Sequence, residues 1–455
     1  MEPLDIKSAE EAKELVESLD IHSVKVGVFD TDGILRGKYI SRSKFLSALE
    51  KGFGFCDVVL GWDSNDQLYD NAKFTGWHTG YPDAAVRILP ETGRRLPLED
   101  NGLFFLGEFV GSAEAVCPRG VLRRVIEKCR DMGFEPYSAL EYEFFLFRET
   151  PDSVREKGYR NLVPWTPGNF GYSVLRNSMH ADFYQDLLDV AREMNFEIEG
   201  LHTETGPGVL EAAIGVDASL VSADKAAFFK TFTKVLAQRH ELMATFMAKW
   251  SPDYPGQSGH IHISLQDLDG INAFYDETAE GKMSKLHRHF TAGCQKLMPD
   301  VLAMVASTVN SYTRLIPGFW APTNPTWGVE NRTCALRIIG DSPKSQRLEY
   351  RIAAADANPY LALAAALMSG LYGIENELEP TEPVVGNAYD MPQDPATALP
   401  TTLWDAAQRL RACQPAREYL GDTFVEHFAA SREWEEREFR KAITSWEMER
   451  YFEII

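Results

Sequence analysis

"EYEFFLF", residues 141–147, sets two carboxylates into an apolar, aromatic run. As a strand it has a side-chain period of two, which puts Glu141 and Glu143 on one face, about 7 Å apart by strand rise. Carboxylates buried unpaired in a hydrophobic strand are costly. Either the pair sits at a solvated strand end, or it holds hard cations, whose preferred ligands are carboxylate oxygens.

The same division recurs along the chain. In "GHIHISL", residues 259–265, His260, His262 and Ser264 share one face, and Ile261, Ile263 and Leu265 share the other. In "RLEYRI", residues 347–352, Arg347, Glu349 and Arg351 face one way and Leu348, Tyr350 and Ile352 the other. An Arg-Glu-Arg row is either a surface ladder of little energetic value or a holder of phosphate and metal. "EIEGLHTETGPGVLEAAIG", residues 197–215, adds Glu199, His202, Glu204 and Glu211, and "ENRTCALRI" adds Arg332 and Arg337. Rows divided alike predict a charged cavity, and carboxylates beside arginines imply divalent metal plus phosphate. No Walker A and no G-x-G-x-x-G is present, so the phosphate site is neither P-loop nor Rossmann.

Around these strands the chain is ordinary: 455 residues, 44% hydrophobic and 25% charged, with net charge −21. No basic stripe marks a nucleic-acid surface. No apolar run reaches the roughly 18 residues of a membrane span. Six scattered cysteines without C-x-x-C suit reduced thiols, and "MEPLDIKSAEEAKELVESL" lacks the apolar core of a signal peptide. These features predict a cytoplasmic protein.

The chain divides into two regions. A helix capped by Ser8 with Glu11 three residues on opens the first. "HSVKVGVFDTDGILRGKYI" then reads as two strands around "DTDG", and "AAVRILP" and "GLFFLGEFV" as further strands. Residues 1–112 are expected to form a small β-rich domain. Beyond "GSAEAVCPRG", an amphipathic helix opens at Pro118 and stops at Gly133. Short strands then alternate with long helices, so residues 113–455 are expected to form the main α/β domain, within a chain whose overall class is α+β. In "RLIPGFWAPTNP", residues 314–325, three prolines and a glycine demand a loop. Trp320 on it is either a plug on the core or the wall of a pocket.

These residues, in this order, resemble the glutamine synthetase family over nearly the whole chain, most strongly in "EYEFFLF", "SGHIHISL", "NSYTRLIPG", "ENRTCALRI" and "RLEYRIAAADANPYLALAAAL". The resemblance implies an N-terminal β-grasp domain and a catalytic domain whose antiparallel strands form a half-barrel funnel. It also implies homo-oligomeric rings, a dodecamer of two hexamers, with each site completed by a neighbour's small domain. By position, Glu143, Glu204 and Glu211 match the ligands of one metal ion and Glu141, His260 and Glu349 those of a second, normally Mg²⁺ or Mn²⁺. Glu199, His262, Ser264, Lys344 and Arg347 match contacts to ATP. Arg332 and Arg337 match phosphate-side arginines, and His202 a histidine near the γ-phosphate. Arg314, Arg351 and Gly256 match groups that hold L-glutamate.

The departures fall in one place. Where ammonia-using members carry a glutamate on the loop P-G-x-E-A-P, this chain has "PGFWAP", with Trp320 at the glutamate's position. Their D-G-S-S segment is absent from "GFCDVVLGWDSND", and Pro255 stands where an asparagine is usual. The Glu204–Glu211 spacing is one residue shorter than in some bacterial members. ATP and glutamate sites kept, with the ammonium features lost, resemble the γ-glutamylamide synthetases. They imply an ATP-dependent ligase that joins glutamate to an organic amine, a monoamine by the bulk of Trp320. Asp57 and Asp63, from a neighbour, are candidate bases for the alkylammonium. The rival readings are a glutamine synthetase using ammonia and a non-catalytic family member. Tyr389 falls where some bacterial members are modified, and no regulation is predicted from it.

Overall fold

The computed structural model describes residues 2–100, 102–340, 342–392, 395 and 397–455. Two sheets organise it. The first contains β1 (Ser23–Phe29), β2 (Leu35–Ser41), β3 (Phe53–Cys56), β4 (Asp83–Ile88), β5 (Arg94–Leu96) and β6 (Gly102–Phe109). Its order is β2-β1-β6-β4-β3, with β5 beside β6; β1 and β6 are parallel and the other pairs antiparallel. The hairpin at "DTDG" forms as its residues require. Asp30 Oδ1 accepts from the backbone of Asp32 (3.0 Å) and Ile34 (2.8 Å), and Gly33 takes the left-handed φ of 78° that closes the turn. The expected capping box of the first helix, Ala9–Ser18, is present: Glu11 N donates to Ser8 Oγ at 3.2 Å, and Ser8 N donates to the Glu11 carboxylate at 3.0 Å.

The second sheet carries the charged rows. It contains β7 (Glu135–Phe147), β8 (Ile198–Thr203), β9 (Val209–Ile214), β10 (Asp217–Ala218), β11 (Met243–Thr245), β12 (Gly259–Gln266), β13 (Trp327–Val329), β14 (Leu336–Ile339) and β15 (Arg347–Tyr350). The order is β13-β14-β15-β12-β7-β9-β8, with β10 and β11 also on β7. Pairing is antiparallel apart from β13–β14 at the edge. The sheet is curved into a half-barrel.

Its convex face is the core. Leu140, Tyr142, Phe144 and Leu146 of β7 and Ile261, Ile263 and Leu265 of β12 are buried against helices Ser219–Arg239, Lys285–Val305 and Pro359–Glu375. The last two helices meet at glycine: a Cβ on Gly293 would lie 2.1 Å from the Ser369 carbonyl oxygen. The two sheets are joined by packing and charge. Phe104 lies 5.4 Å from Phe228, and Arg119 donates to both oxygens of Asp224 (3.0 and 3.1 Å) and to Glu108 (3.3 Å). All six cysteines are free, and among the described residues no helix is long and apolar enough to cross a membrane.

Candidate active site

The register of the second sheet brings distant sequence rows onto common rungs. Arg337 pairs with Glu349 and Glu349 with His262. Glu141 pairs with His260, and Glu143 with Glu211, which pairs with His202. Six strands thus direct their charged side chains to the concave face. They line a cavity of about 470 Å³ with Glu141, Glu143, Glu204, Glu211, Glu349, His260 and His262. Its rim and walls add Arg332, Arg337, Arg347, Arg351, Pro255, Gly256, Tyr172 and Trp320. The solvated strand end and the surface ladder left open by the sequence are therefore set aside.

One half of this face is internally paired. Arg347 Nε–H donates to His262 Nδ1 at 3.1 Å, so the other ring nitrogen carries the proton and donates to Glu141 at 2.8 Å. Glu349 accepts from Arg337 at 3.1 Å and from Arg351, and His260 Nδ1 lies 3.4 Å from it and 3.6 Å from Glu141. Burial alone would raise both carboxyls. His260, Arg351 and His262 more than offset it at Glu349, holding it down to about 2, and His262 and His260 hold Glu141 well below the usual range.

The other half is over-charged. Burial, with Glu143, Glu141, Glu204 and Glu349 around it, pushes Glu211 far above the usual carboxylate range. Glu143 is pushed up by burial as well, although the Ser258 backbone N–H donates to it at 2.6 Å. His202 stands 3.3 Å from Glu204 and 3.8 Å from Glu211, with the Tyr172 ring stacked on it at 4.3 Å.

Both halves fit a divalent cation. Single donor atoms of Glu141, His262 and Glu349 lie within 4.8 Å of one another, and so do those of His202, Glu204 and Glu211. His260 Nε2 is buried without a hydrogen-bond partner. Carboxylates crowded beyond the supply of protein cations, with imidazole beside them, make a donor set for Mg²⁺ or Mn²⁺. In these closest groups His262 stands with Glu141 and Glu349, with His260 adjacent, and His202 stands with Glu204 and Glu211, while Glu143 lines the same cavity and pairs with Glu211.

Arg314, Glu199, Ser264, Lys344, Asp57 and Asp63 lie off the cavity wall. Arg314 is 1% exposed and acts as a brace, donating to the carbonyls of Ile352 (2.9 Å) and Arg351 (3.2 Å) and to Ser258 Oγ (3.0 Å). Gly256 packs against it so closely that a Cβ would lie 2.6 Å from Arg314 Cγ. Glu199 lines a separate hollow with Asn177 and Tyr184. Ser264 sits further along β12, opposite Tyr137, and Lys344 is exposed on the turn before β15. Asp57 and Asp63 lie outside the cavity of their own chain. Asp57 accepts from Thr75 Oγ1 at 2.8 Å; Asp63 accepts from the Asn65 and Gln67 backbone (2.8 and 2.9 Å) and from Trp434 Nε1 (3.2 Å). Tyr389 lies in the short turn Ala388–Asp390.

Trp320 is no core plug: it is 56% exposed and lines the cavity. It and Tyr172 both hold a left-handed backbone, φ 59° and 55°, unusual for bulky residues and often found at functional sites. Sequence reasoning missed Tyr172 and Ser258. Tyr172 sits in the irregular "NFGYSV", whose only signal is an aromatic after glycine; Ser258 precedes the β12 row by one residue.

Known proteins share this arrangement. Residues 115–451 match the description "Glutamine synthetase, catalytic domain". Type-1 glutamine synthetase 2 of Dictyostelium discoideum is 46% identical over 438 residues, covering 95% of this chain and 84% of its own length. The glutamate–isopropylamine ligase of a Pseudomonas species is 36% identical over 447 residues, covering 97% of each chain. The solved GmaS–ADP complex superposes with a TM-score of 0.84 at 26% identity, covering 97% of this chain and 99% of its own. With the family's catalytic domain matched over 337 of 455 residues (115 to 451 inclusive), the chain belongs to the glutamine synthetase family.

Proposed function

We propose that the chain is an ATP-dependent carbon–nitrogen ligase that joins the γ-carboxylate of L-glutamate to an organic monoamine. The observation that carries this is local: the cavity keeps the carboxylate, histidine and arginine set, while its mouth has the exposed indole of Trp320 where ammonia-using members resemble one another in a glutamate. The indole offers an apolar wall to an alkyl or aryl group and a π face to its ammonium. The Pseudomonas relative is named for an amine ligase. The Dictyostelium relative is named a glutamine synthetase, which makes ammonia the second reading.

The reaction runs in two displacements. A glutamate γ-carboxylate oxygen attacks the γ-phosphorus of ATP, and ADP leaves. The amine nitrogen then attacks the γ-carbonyl carbon, loses a proton, and phosphate leaves. The carboxylate is ionised at neutral pH and needs no base for the first step. Positioning and charge neutralisation are what it needs. Two divalent ions, Mg²⁺ or Mn²⁺, held by Glu141, His260 and Glu349 and by Glu143, Glu204 and Glu211, with His262 and His202 beside them, would supply electrostatic neutralisation of the phosphates. Arg332 and Arg337 face the transferred phosphate, with His202 near it. Arg347 and His262 face the nucleotide, and the family resemblance assigns Glu199, Ser264 and Lys344 to its contacts as well. Arg351 and Gly256 hold glutamate, with Arg314 bracing both.

An alkylammonium has a pKa of about 10.4, like lysine, so the second step needs a base. Asp57 or Asp63 of a neighbouring subunit fills that role in a dodecamer of two hexameric rings, with a β-grasp domain of residues 1–112 reaching the catalytic domain, 113–455, of the next chain. Six free cysteines and no disulfide suit the cytoplasm. The test is phosphate release with ATP, Mg²⁺ and L-glutamate across ammonia, methylamine, isopropylamine, ethanolamine, benzylamine and putrescine. A monoamine should give the highest kcat/KM. Highest turnover with ammonia favours the second reading, and no turnover with any amine in metal-loaded, assembled protein refutes the ligase.

A further inference from the structure

A second cavity, of about 610 Å³, shares no lining residue with the first. It lies between the β1–β2 turn, the helix Ser219–Arg239, the segment Met243–Met247, and the polar residues Ser307, Thr308 and Asp356. Its volume suits a small ligand.

Its two walls carry opposite charge, lysines on one and carboxylates on the other. On one, Lys230, Lys234 and Gln238 follow one another at helical spacing of four. Lys230 is 8% exposed; its ammonium donates to the Ala357 carbonyl at 2.8 Å and otherwise faces the rings of Tyr142 (5.4 Å) and Phe246 (5.7 Å). Lys234 lies 5.5 Å from the Phe246 ring. Among the described residues, neither lysine has a carboxylate within ion-pair distance. Like charges one helical turn apart repel, so an anion bound between them would be favoured.

On the other wall, Asp32 and Glu435 are already engaged. Asp32 accepts from Arg432 at 2.7 Å, and Glu435 accepts from the Val309 backbone at 2.9 Å. Asp356 is half engaged: Oδ2 accepts from Thr308 (2.7 Å) and Ser311 (2.8 Å), while Oδ1 is buried without a partner. A buried carboxylate oxygen left open is costly unless something donates to it. Phe246, Met243 and Met247 supply apolar surface between the walls.

We propose that this cavity binds an α-amino acid as its zwitterion, carboxylate toward Lys230 and Lys234 and ammonium toward Asp356 Oδ1. Each half of that ligand supplies what one wall lacks, and neither a simple amine nor a simple carboxylate supplies both. The site is distinct from the glutamate-binding end of the first cavity. It touches the Thr308–Ser311 segment that leads into Arg314.

The probe is L-glutamine, titrated calorimetrically without ATP into intact wild-type protein and into Lys234→Glu, with a crystal soaked in the same amino acid to locate it. Lys234 is solvent-accessible, so the variant is expected to fold. The expected result is density spanning Lys234 and Asp356, binding at least tenfold weaker in Lys234→Glu, and unchanged ligase activity in the absence of glutamine. The deaminated analogue 5-amino-5-oxopentanoate, which leaves Asp356 Oδ1 unpaired, should also bind at least tenfold more weakly. An empty second cavity in the soaked crystal, or equal glutamine affinity in wild type and Lys234→Glu, overturns the proposal.

Discussion

The two halves of the concave face contain the same kinds of residue in opposite electrostatic states. Around Glu349 and Glu141, arginine and histidine partners outweigh the cost of burial, and the carboxylates are held ionised. Around Glu143 and Glu211, carboxylates crowd each other and both are pushed up. The difference lies in the strands behind them. Glu349 shares a rung with His262 and Arg337, whereas Glu143 shares one with Glu211. The first half is organised before anything binds; the second calls for a cation from outside.

The comparison breaks most visibly at Glu349. Glu349→Ala leaves Arg337 and Arg351 facing an empty place, which for a broken buried pair costs about 3–5 kcal/mol. Urea unfolding should show that loss with or without Mg²⁺, together with loss of ligase activity. Glu211→Gln should behave oppositely. It relieves like-charge repulsion, so metal-free stability should hold or rise, while the Mg²⁺-induced increase in melting temperature shrinks and activity falls by roughly 10²-fold or more. A Glu211→Gln protein that unfolds like Glu349→Ala would erase the distinction between the halves.

The pH dependence separates them further. A carboxyl pushed up favours its protonated form in the fold, so Glu143 and Glu211 cost stability once pH rises above the ordinary carboxylate value of about 4.3. Metal-free protein should therefore lose stability as pH rises from there through neutrality, and Mg²⁺ should flatten that slope. Glu349, held down to about 2, contributes stability that is fully present above the ordinary carboxylate value of about 4.3 and is lost as pH falls from there through about 2. The smallest structural effect belongs to Trp320→Glu, which touches neither half. Its metal response and melting temperature should match wild type within about 0.5 kcal/mol, as for surface changes. Its kcat/KM for a bulky monoamine should fall about tenfold or more, the scale of losing an apolar wall. Unchanged amine preference would return the indole to a merely structural role.

Much of this was legible because strand periodicity is a local property. "EYEFFLF", "GHIHISL" and "RLEYRI" each declare a core face and a charged face without reference to the rest of the chain. Register is not local. That Glu349 lies beside His262, and that His202 shares a rung with Glu211, depends on pairing between strands tens of residues apart. The grouping of His202 with Glu204 and Glu211 was accordingly beyond the sequence. Arg314 shows a second limit: the resemblance implied a contact to glutamate, whereas in the fold its buried donors are turned to backbone carbonyls and Ser258 Oγ. Tyr172 shows a third, since a loop aromatic has no period to betray which way it points.

The functional reading stands or falls on an organic amine as the nucleophile. The direct measurement is a competition: ATP, Mg²⁺ and L-glutamate with ammonia and isopropylamine together at equal free-amine concentration, and the amide products separated by mass. γ-Glutamylisopropylamide is expected to predominate in wild type and to lose ground to glutamine in Trp320→Glu. Glutamine as the main product of the wild-type protein would contradict it.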